Sequence, residues 1–388
     1  MIMTERDAYI ALNMVRGLGA VTVQNIIKTL GSVEKVFSCS TEQLASVRGI
    51  SINRAELILE ELQKIDFEKE KEYAERKSVK LITQVDEGYP EQLQKITYPP
   101  LVLYVSGNVE VLSQISVGIV GTRNPSLYGR AMAKKFSYGL AQRGVCVVSG
   151  LALGIDTEAH TAALLAKGET VAVIGSALDC LYPECNRDLA NSIVNEGGAV
   201  VSEYPFGCKA NRQTFPMRNR IISGLSKGIL VVEAALNSGS LITAELAMEQ
   251  NRPVMAIPGR LDSELSRGTN QLICDGARLV ETIDDVIEEI DSSCISNRNY
   301  AGQQILSPPT INRGFEVNED FEKKEKPKPK LDELEQKLID ALGKEEMTVD
   351  ALIAISGIPP AQIGSRLISL EMKGLINRYP GNVLKARL

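Results

Sequence analysis

The chain has 388 residues, 44% of them hydrophobic, and a formal net charge of -6. This length exceeds what one hydrophobic core usually fills, so two or three domains are expected. The acidic balance excludes polyanion binding by the whole surface, and any nucleic-acid site must be a local basic patch. No basic segment followed by an apolar run opens the chain, and no stretch approaches the roughly 18 apolar residues of a membrane span. We therefore expect a cytoplasmic protein without membrane contact.

Residues 1–78 are predicted to be helical and contain a degenerate repeat. MVRGLGAVTVQNIIKTL begins at residue 14 and SVRGISINRAELILEEL at residue 46. Each copy predicts a helix end, a glycine turn and a second helix, which resembles the helix-hairpin-helix (SAM-like) module, whose turn amides can face a phosphate. A compact helical turn without DNA contact is the open alternative. Ser51 replaces the second glycine of the second copy and weakens its claim to bind DNA.

Residues 79–290 alternate apolar, β-branched runs with helical stretches. The predicted strands are 101–105, 116–121, 145–150, 170–175, 199–203, 228–234 and 253–259. These runs are apolar on both faces, which is typical of a parallel sheet covered by helices on both sides. The sequence therefore predicts a doubly wound α/β domain.

The remainder of the chain changes character twice. Residues 291–330 lose periodicity and gain Pro, Asn and charge, which predicts a flexible linker. Residues 331–388 predict three helices and a β-hairpin turning at Pro380 and Gly381, the elements of a winged-helix domain. The would-be recognition helix has only Arg366 and Lys373 as basic residues, so sequence-specific duplex binding is not favoured. Partner binding and weak DNA contact both stay open.

Small residues are frequent in the loops that follow the predicted strands. These loops are GTRNPS (121–126), SGLALGID (149–156), GSA (175–177) and NSGS (237–240). Small residues let backbone amides approach an anion beyond the carboxyl ends of parallel strands. Neither G-x-G-x-x-G nor G-x-x-x-x-G-K-[ST] follows any strand, so dinucleotide and P-loop sites are excluded. The candidate phosphate contacts are Gly121, Thr122, Arg123, Ser149, Gly150, Ser238, Gly239 and Ser240.

The segment Tyr204–Lys227 contains five basic residues and no Asp or Glu. Its cations can follow a nucleic-acid backbone while Phe215 stacks on a base, worth roughly 1–3 kcal/mol per base. The alternative is that Phe215 packs into the core and the arginines form surface ion pairs, but the segment offers no acid to pair with. Its candidate contacts are Lys209, Arg212, Phe215, Arg218, Asn219 and Arg220.

Metal and catalytic sites are not expected. The seven cysteines are scattered without a C-x-x-C pair and are interpreted as reduced thiols. His160 is the only histidine, so a catalytic triad would have to use it, and its place on a helix favours a packing or capping role. We therefore predict no catalytic residue, no metal and no cofactor.

The series GIVGTR, VVSGLALGIDTEAH, TVAVIGSALDCLYP, SEYPFG, FPMRNRIISGLS, EAALNSGSLITAELAMEQNRPVMAIPG and SRGTNQLICDGA closely resembles the DNA-processing protein A family, also called DprA or Smf. The resemblance implies an extended Rossmann-like fold and a non-enzymatic, single-stranded DNA-binding homodimer. Such a protein receives DNA in natural transformation, shields it and loads the RecA recombinase.

Several residues take their expected roles from this resemblance. Arg123 matches the DNA-binding loop arginine, and Arg212 and Phe215 match the basic and aromatic residues before the R-N-R run. Family members often carry Lys at the position of Arg212, which keeps the charge. The segment LICDGARLV looks like the dimerisation patch, with ordinary sheet-covering core as the alternative. Its candidate interface residues are Leu272, Ile273 and Leu279.

Two other functions are kept as alternatives. A small-nucleotide enzyme or sensor of the phosphoribohydrolase-like Rossmann group would use a P-G-G-x-G-T-x-x-E loop, which corresponds here to NSGSLITAE (237–245). Gly239 and Glu245 fit that pattern, but Leu241 and Ile242 should crowd the phosphate. A duplex-binding regulator would act through residues 331–388 and is disfavoured by their few basic residues.

Overall fold

The structure, a computed structural model, describes residues 3–290, 332–342, 347–356, 375–379 and 383–386, and the single positions 358, 363, 366, 367 and 370. The chain divides into two compact units, Met1–Gln303 and Gln304–Leu388. The predicted linker, 291–330, lies outside the described residues. The domain boundary predicted between residues 78 and 79 falls inside the first unit and stays a prediction.

The helices and strands have the following bounds. The helices of the first unit are α1 (Glu5–Met14), α2 (Ala20–Leu30), α3 (Thr41–Ala45), α4 (Ile52–Lys64), α5 (Phe67–Arg76), α6 (Glu91–Gln94), α7 (Leu127–Gln142), α8 (Ile155–Leu165), α9 (Arg187–Asn195), α10 (Thr214–Leu225), α11 (Gly239–Glu249), α12 (Arg267–Cys274) and α13 (Ile283–Glu289). Its strands are β1 (Val79–Thr83), β2 (Val102–Gly107), β3 (Ser116–Val120), β4 (Cys146–Ser149), β5 (Thr170–Val173), β6 (Ala199–Ser202), β7 (Gly228–Val231), β8 (Val254–Ala256) and β9 (Arg278–Leu279). The second unit contains α14 (Glu333–Leu342), β10 (Met347–Thr348), α15 (Val349–Ser356), β11 (Ile376–Tyr379) and β12 (Val383–Ala386).

The predicted repeat forms two helical hairpins, α1 with α2 and α3 with α4. Gly17 and Gly49 occupy their turns with φ of 70° and 90°, a conformation that favours glycine. The backbone N–H of Arg16 in the first turn donates to the Glu61 carboxylate at 3.0 Å, so this amide already has an anionic partner. Ser51 caps α4 by accepting a hydrogen bond from the backbone N–H of Arg54, which explains a serine at this position.

A nine-stranded sheet forms the centre of the first unit, with the order β1-β2-β6-β5-β4-β3-β7-β8-β9. Strands β3 to β9 pair in parallel, and all seven predicted strands are present as β2 to β8. Strand β2 is antiparallel to both β1 and β6, a direction that its apolar run did not indicate. From β3 the chain proceeds to β4, β5 and β6 on one side, and from β7 to β8 and β9 on the other. The sheet therefore has a topological switch point between β3 and β7.

Helices cover both faces of the sheet, as the apolar runs predicted. On one face, α6, α10 and α11 contribute residues such as Leu93, Ile221 and Ala244 to a buried cluster. On the other face, α7, α8 and α13 contribute Phe136, Leu140 and others. Each such fully buried large side chain contributes about 1.5–3 kcal/mol relative to exposure. This packing holds the loops at the carboxyl edge on a rigid base.

The second unit has the hairpin and sheet of a winged-helix domain. Its sheet has the order β10-β12-β11, and β11 pairs with β12 in antiparallel register from Ile376 with Ala386 to Tyr379 with Val383. Most of the third predicted helix, with Lys373, lies outside the described residues. Arg366 is described and pairs with Asp332 at 2.5 Å, so part of its charge is neutralised within the unit.

The described ranges contain no membrane-spanning helix, no cluster of metal ligands and no disulfide bond. No helix there combines the length and the apolar character needed to cross a lipid bilayer. The same ranges hold no group of three or more His, Cys, Asp or Glu residues that could bind a metal ion. The six cysteines within them form no disulfide bond, and Cys294 lies outside the described residues.

Candidate nucleic-acid interface

The loop after β3 is tied to the end of β7 at the switch point. The backbone N–H of Thr122 donates to the carbonyl of Glu233 at 2.8 Å. The buried Glu233 carboxylate accepts hydrogen bonds from the backbone N–H and the hydroxyl of Ser126, at 2.8 and 2.7 Å, and Ser126 caps α7. A protein carboxylate thus lies at the N-terminus of α7, where an anion would otherwise bind. The loop is fixed, and Arg123 is exposed to solvent.

The loop after β4 packs backbone to backbone against the loop after β3. Gly154 has a φ of 81°, and the backbone N–H of Ile155 donates to the carbonyl of Thr122 at 3.2 Å. A Cβ atom at Gly154 would lie 2.5 Å from the carbonyl oxygen of Thr122 and 2.6 Å from that of Arg123. Only glycine therefore fits here without moving the backbone that carries Arg123.

We expect Gly154→Ala to weaken nucleic-acid binding and to cost about 1–3 kcal/mol of stability, because a Cβ atom strains the residue and displaces the Arg123 loop. The matched control is Gly197→Ala, where φ is 91° but no atom lies within 4 Å of the added Cβ. Urea denaturation and oligonucleotide binding should separate the two variants. Equal binding by both would contradict a role for this backbone contact.

Three side chains meet above the carboxyl ends of the strands. The guanidinium carbon of Arg123 lies 5.1 Å from the centroid of the Phe215 ring, within cation–π range. The Tyr182 and Phe215 ring centroids are 5.8 Å apart with an interplanar angle of 50°. A Cβ atom at Gly175 would lie 3.1 Å from Cδ1 of Phe215, so the missing side chain makes room for this ring. We call Arg123, Phe215 and Tyr182 the aromatic cluster.

The basic residues of the segment Tyr204–Lys227 divide into exposed and buried groups. Lys209 and Arg212 are exposed and precede α10. Arg218, on the buried side of α10, has 5% exposure and donates hydrogen bonds to the carbonyl oxygens of Gly150 and Val173. Burial lowers the pKa of Arg218 to about 10. Its cation therefore joins the ends of β4 and β5 beneath the surface.

Asp156 balances this buried charge. Its carboxylate accepts hydrogen bonds from the backbone N–H groups of Gly150 at 3.1 Å and Ala152 at 3.3 Å. Burial raises the pKa of Asp156, and the neighbouring Arg218 guanidinium counteracts part of that shift. The acid and the arginine thus stabilise the loop after β4.

Arg220 forms a separate buried ion pair. Its two terminal nitrogens donate to the two carboxylate oxygens of Glu203 at 2.7 and 2.6 Å, and side-chain exposures are 8% and 14%. The interpretation that the arginines of this segment lack a partner is therefore wrong for Arg220. Its acid is the residue directly before the segment, 17 positions away in the chain.

Three family models match separate parts of the chain. Residues 80–291 match DNA recombination-mediator protein A, residues 322–382 match the DprA winged helix domain, and residues 9–64 match the SAM-like helix-hairpin-helix tandem. The chain belongs to the DprA/Smf family. The resemblance drawn from the sequence motifs is confirmed.

Known members of the family are similar over much of their length. Protein Smf of Synechocystis is 32% identical over 97% of this chain and 98% of its own. DprA of Streptococcus pneumoniae is 45% identical over 53% of this chain and 73% of its own. Its X-ray structure has a TM-score of 0.64 at 35% identity, covering 75% of this chain and 99% of that chain. A structure of DNA processing protein A from Helicobacter pylori, described for that protein's single-stranded DNA binding mode, has a TM-score of 0.49 at 31% identity, covering 54% and 94%.

For this DprA/Smf family member, the structure corrects part of the predicted contact set. The corrected residues share burial beneath the surface and hydrogen bonds within the protein. The Ser149 hydroxyl donates to the carbonyl of Ile119 at 2.6 Å. The hydroxyl and the backbone N–H of Ser240 are both hydrogen-bonded to the hydroxyl of Ser238. Direct contact with a phosphate is therefore not available to Ser149, Gly150, Arg218, Arg220 and Ser240.

The other predicted contacts reach the surface. Arg123, Lys209, Arg212 and Gly239 are exposed. Half-buried positions are Gly121, Thr122, Phe215, Asn219 and Ser238. The Asn219 amide donates to the carbonyl of Gly239 at 3.4 Å and links α10 to the first residue of α11. Contact of these residues with DNA stays a prediction.

Two residues of the site were missed from the sequence. Tyr182 is 52% exposed and Glu233 is buried. Tyr182 lies in the LDCLYP stretch after β5, where no periodicity marks the direction of a side chain. Glu233 follows the apolar residues of the predicted strand 228–234. A single acid at the end of a buried strand was the signal that could have identified it.

His160 has the packing role that its position indicated. It is fully buried, with Nδ1 2.7 Å from the hydroxyl of Thr170. Burial and the charge of Arg218 lower the pKa of His160 to about 3. The ring is therefore neutral at physiological pH and has no access to a solvent-borne substrate.

The proposed dimer residues lie at the far edge of the sheet. Leu272 and Ile273 are half-buried on α12, and Leu272 packs against the main core. Leu279 is 41% exposed on β9, the last strand of the sheet order. For Leu272, the alternative of an ordinary sheet-covering core residue is therefore partly supported. A dimer through this edge stays a prediction.

Proposed function

We propose that this protein binds single-stranded DNA at the carboxyl edge of its sheet, catalyses no reaction and loads RecA onto the strand in natural transformation and recombination. The contact of Arg123 with Phe215 at the switch point supports this most strongly. Exposed Arg212 and Lys209 continue the positive charge along the chain. The homodimer implied by the resemblance and the cytoplasmic location expected from the composition belong to the same proposal.

The chemistry of the aromatic cluster suits single strands. A guanidinium group binds phosphate oxygens with paired donors, and an aromatic ring stacks on a base of any sequence. In a duplex the faces of the bases are already stacked within the helix, so the ring gains nothing without unpairing them. Positive charge alone would bind both forms, and the aromatic contribution therefore sets the preference.

The acids and bases beneath the site support a non-enzymatic role. Asp156, His160 and Glu233 are all buried and hydrogen-bonded within the protein. A general acid or base must reach its substrate within hydrogen-bonding distance. The loop after β5 also carries two exposed acids, Asp179 and Glu184, and the carboxylate of Asp179 accepts a hydrogen bond from the backbone N–H of Gly207.

The first test is fluorescence anisotropy of labelled single-stranded and duplex oligonucleotides with the full chain. We expect single strands to bind at least about 10-fold more tightly than duplex. Arg212→Ala should weaken single-strand binding by about 5- to 10-fold, which is about 1–1.4 kcal/mol, the scale of one ordinary hydrogen bond in competition with water. Arg143→Ala, at the opposite end of α7 and paired with Asp284, is the matched control. Equal affinity for the two forms of DNA would overturn the proposal.

The same titration with a nucleoside monophosphate tests the small-nucleotide alternative. The Glu233 carboxylate at the start of α7 opposes that alternative, because a second anion there would be repelled. Leu241 and Ile242 lie in the first turn of α11, where Leu241 packs against the core and Ile242 is 37% exposed, in the segment that a hydrolase would need open.

A further inference from the structure

Tyr182 is the most exposed ring of the aromatic cluster. Its side chain is 52% exposed, whereas Phe215 is half-buried. Phe215 already has the Arg123 guanidinium over its ring and is close to the backbone of Gly175. The ring of Tyr182 is therefore more accessible than that of Phe215 to a base that approaches from solvent.

The loop that carries Tyr182 is held on both sides of the ring. On one side, the backbone N–H of Ala177 donates to the carbonyl of Cys208 at 2.8 Å. On the other, the amide of Asn186 donates to the carbonyl of Leu151 at 2.9 Å. A ring held in place before binding loses little conformational freedom when a base stacks on it.

The loop is also joined to the basic segment. The backbone N–H of Gly207 donates to the two carboxylate oxygens of Asp179, at 3.0 and 3.2 Å. Gly207 lies two residues before Lys209, so the cation and the ring are carried by connected loops. Under the proposed function, a strand whose phosphates contact Lys209 and Arg212 would therefore lie near the loop of Tyr182.

We propose that Tyr182 is a base-stacking residue of the single-strand site, where its ring adds to that of Phe215. This inference rests on the proposed function and adds a second residue to its aromatic contribution. Tyr182 contacts a nucleobase. The Phe215 ring is in contact with both Tyr182 and Arg123.

A single tryptophan reporter tests the contact directly. The chain contains no tryptophan, so Tyr182→Trp introduces a unique fluorophore at the proposed contact. We expect its emission to be quenched when unlabelled oligo(dT) is added. Tyr138→Trp is the matched control, because Tyr138 is 41% exposed but lies on α7 beyond its midpoint, away from the carboxyl edge. Its emission should not change.

Affinity gives a second, independent measurement. Tyr182→Ala should weaken binding of labelled oligo(dT) by roughly 5- to 150-fold, while Tyr182→Phe retains the ring and should stay within about 2-fold of wild type. Tyr138→Ala should leave the affinity unchanged.

The outcomes separate this inference from the proposed function. If oligo(dT) binds wild type but does not quench the Tyr182→Trp variant, and Tyr182→Ala binds normally, the stacking role is overturned and the DNA site stands. If wild type fails to bind oligo(dT), both are overturned. Should Tyr182→Phe lose as much affinity as Tyr182→Ala, the hydroxyl rather than the ring face makes the contact, and stacking is again overturned.

Discussion

Replacing Arg218 with alanine is expected to lower the free energy of unfolding by about 3–5 kcal/mol. The buried guanidinium donates to the carbonyls of Gly150 and Val173 and lies near the buried carboxyl of Asp156. Its loss removes one donor from each of these acceptors and leaves Asp156 without the neighbouring positive charge. Urea denaturation followed by circular dichroism at neutral pH measures the change.

Arg212→Ala is the control within the same segment. Arg212 is exposed, so its removal should change stability by no more than about 0.5 kcal/mol while weakening single-strand binding. A further variant, Arg218→Met combined with Asp156→Asn, removes both charges and should recover part of the lost stability. Equal stability of Arg218→Ala and wild type would show that the buried cation is not a structural element.

The burial of Arg218 could be predicted from helical spacing. Within α10, Arg218 shares one stripe with Thr214, Ile221, Ile222 and Leu225, all of them buried. That spacing of three and four residues marks the face that packs on the sheet. A count of charges along the segment gives no difference between its arginines, whereas α10 places Arg218 and Arg220 on different faces.

Other features depend on tertiary pairing that the sequence does not encode locally. Glu203 at the end of β6 meets Arg220 on α10 only because the connection between them folds back over the sheet. Tyr182 meets Phe215 through loops that follow different strands. Neither pair has a fixed spacing, so no motif or periodicity could have identified it.

The α/β fold was predicted more completely than the site. Apolar, β-branched runs located β2 to β8, because burial on both faces is itself a sequence pattern. Strand direction is not such a pattern, which is why the antiparallel pairing of β2 was not foreseen. Strand β9 has two residues, too few for any period to be detected.

Glu233 explains why the loop between β3 and α7 lacks a standard phosphate-binding motif. In many doubly wound folds the first helix N-terminus after the switch point receives a phosphate. Here a buried carboxylate makes those hydrogen bonds, and Gly129 leaves the space for it, since a Cβ atom there would meet Glu233. Under the proposed function, the exposed side chain of Arg123 rather than these backbone amides would bind the phosphate.

Arg123→Ala is therefore expected to weaken single-strand binding by about 10- to 100-fold and to change its dependence on salt. Each phosphate contact contributes about -0.7 to the slope of log affinity against log salt for single strands. Losing Arg123 should make the slope shallower by about that amount. Anisotropy titrations of one oligonucleotide over several salt concentrations measure both quantities.

Arg123→Lys separates the charge of Arg123 from its contact with the ring. Lysine keeps the positive charge but lacks the planar group that lies over Phe215, so the salt slope should recover more fully than the affinity. Arg143→Ala, at the other end of α7, should leave both quantities at their wild-type values. A slope unchanged by Arg123→Ala would mean that this side chain meets no phosphate. The site would then have to bind the strand through Lys209, Arg212 and the rings.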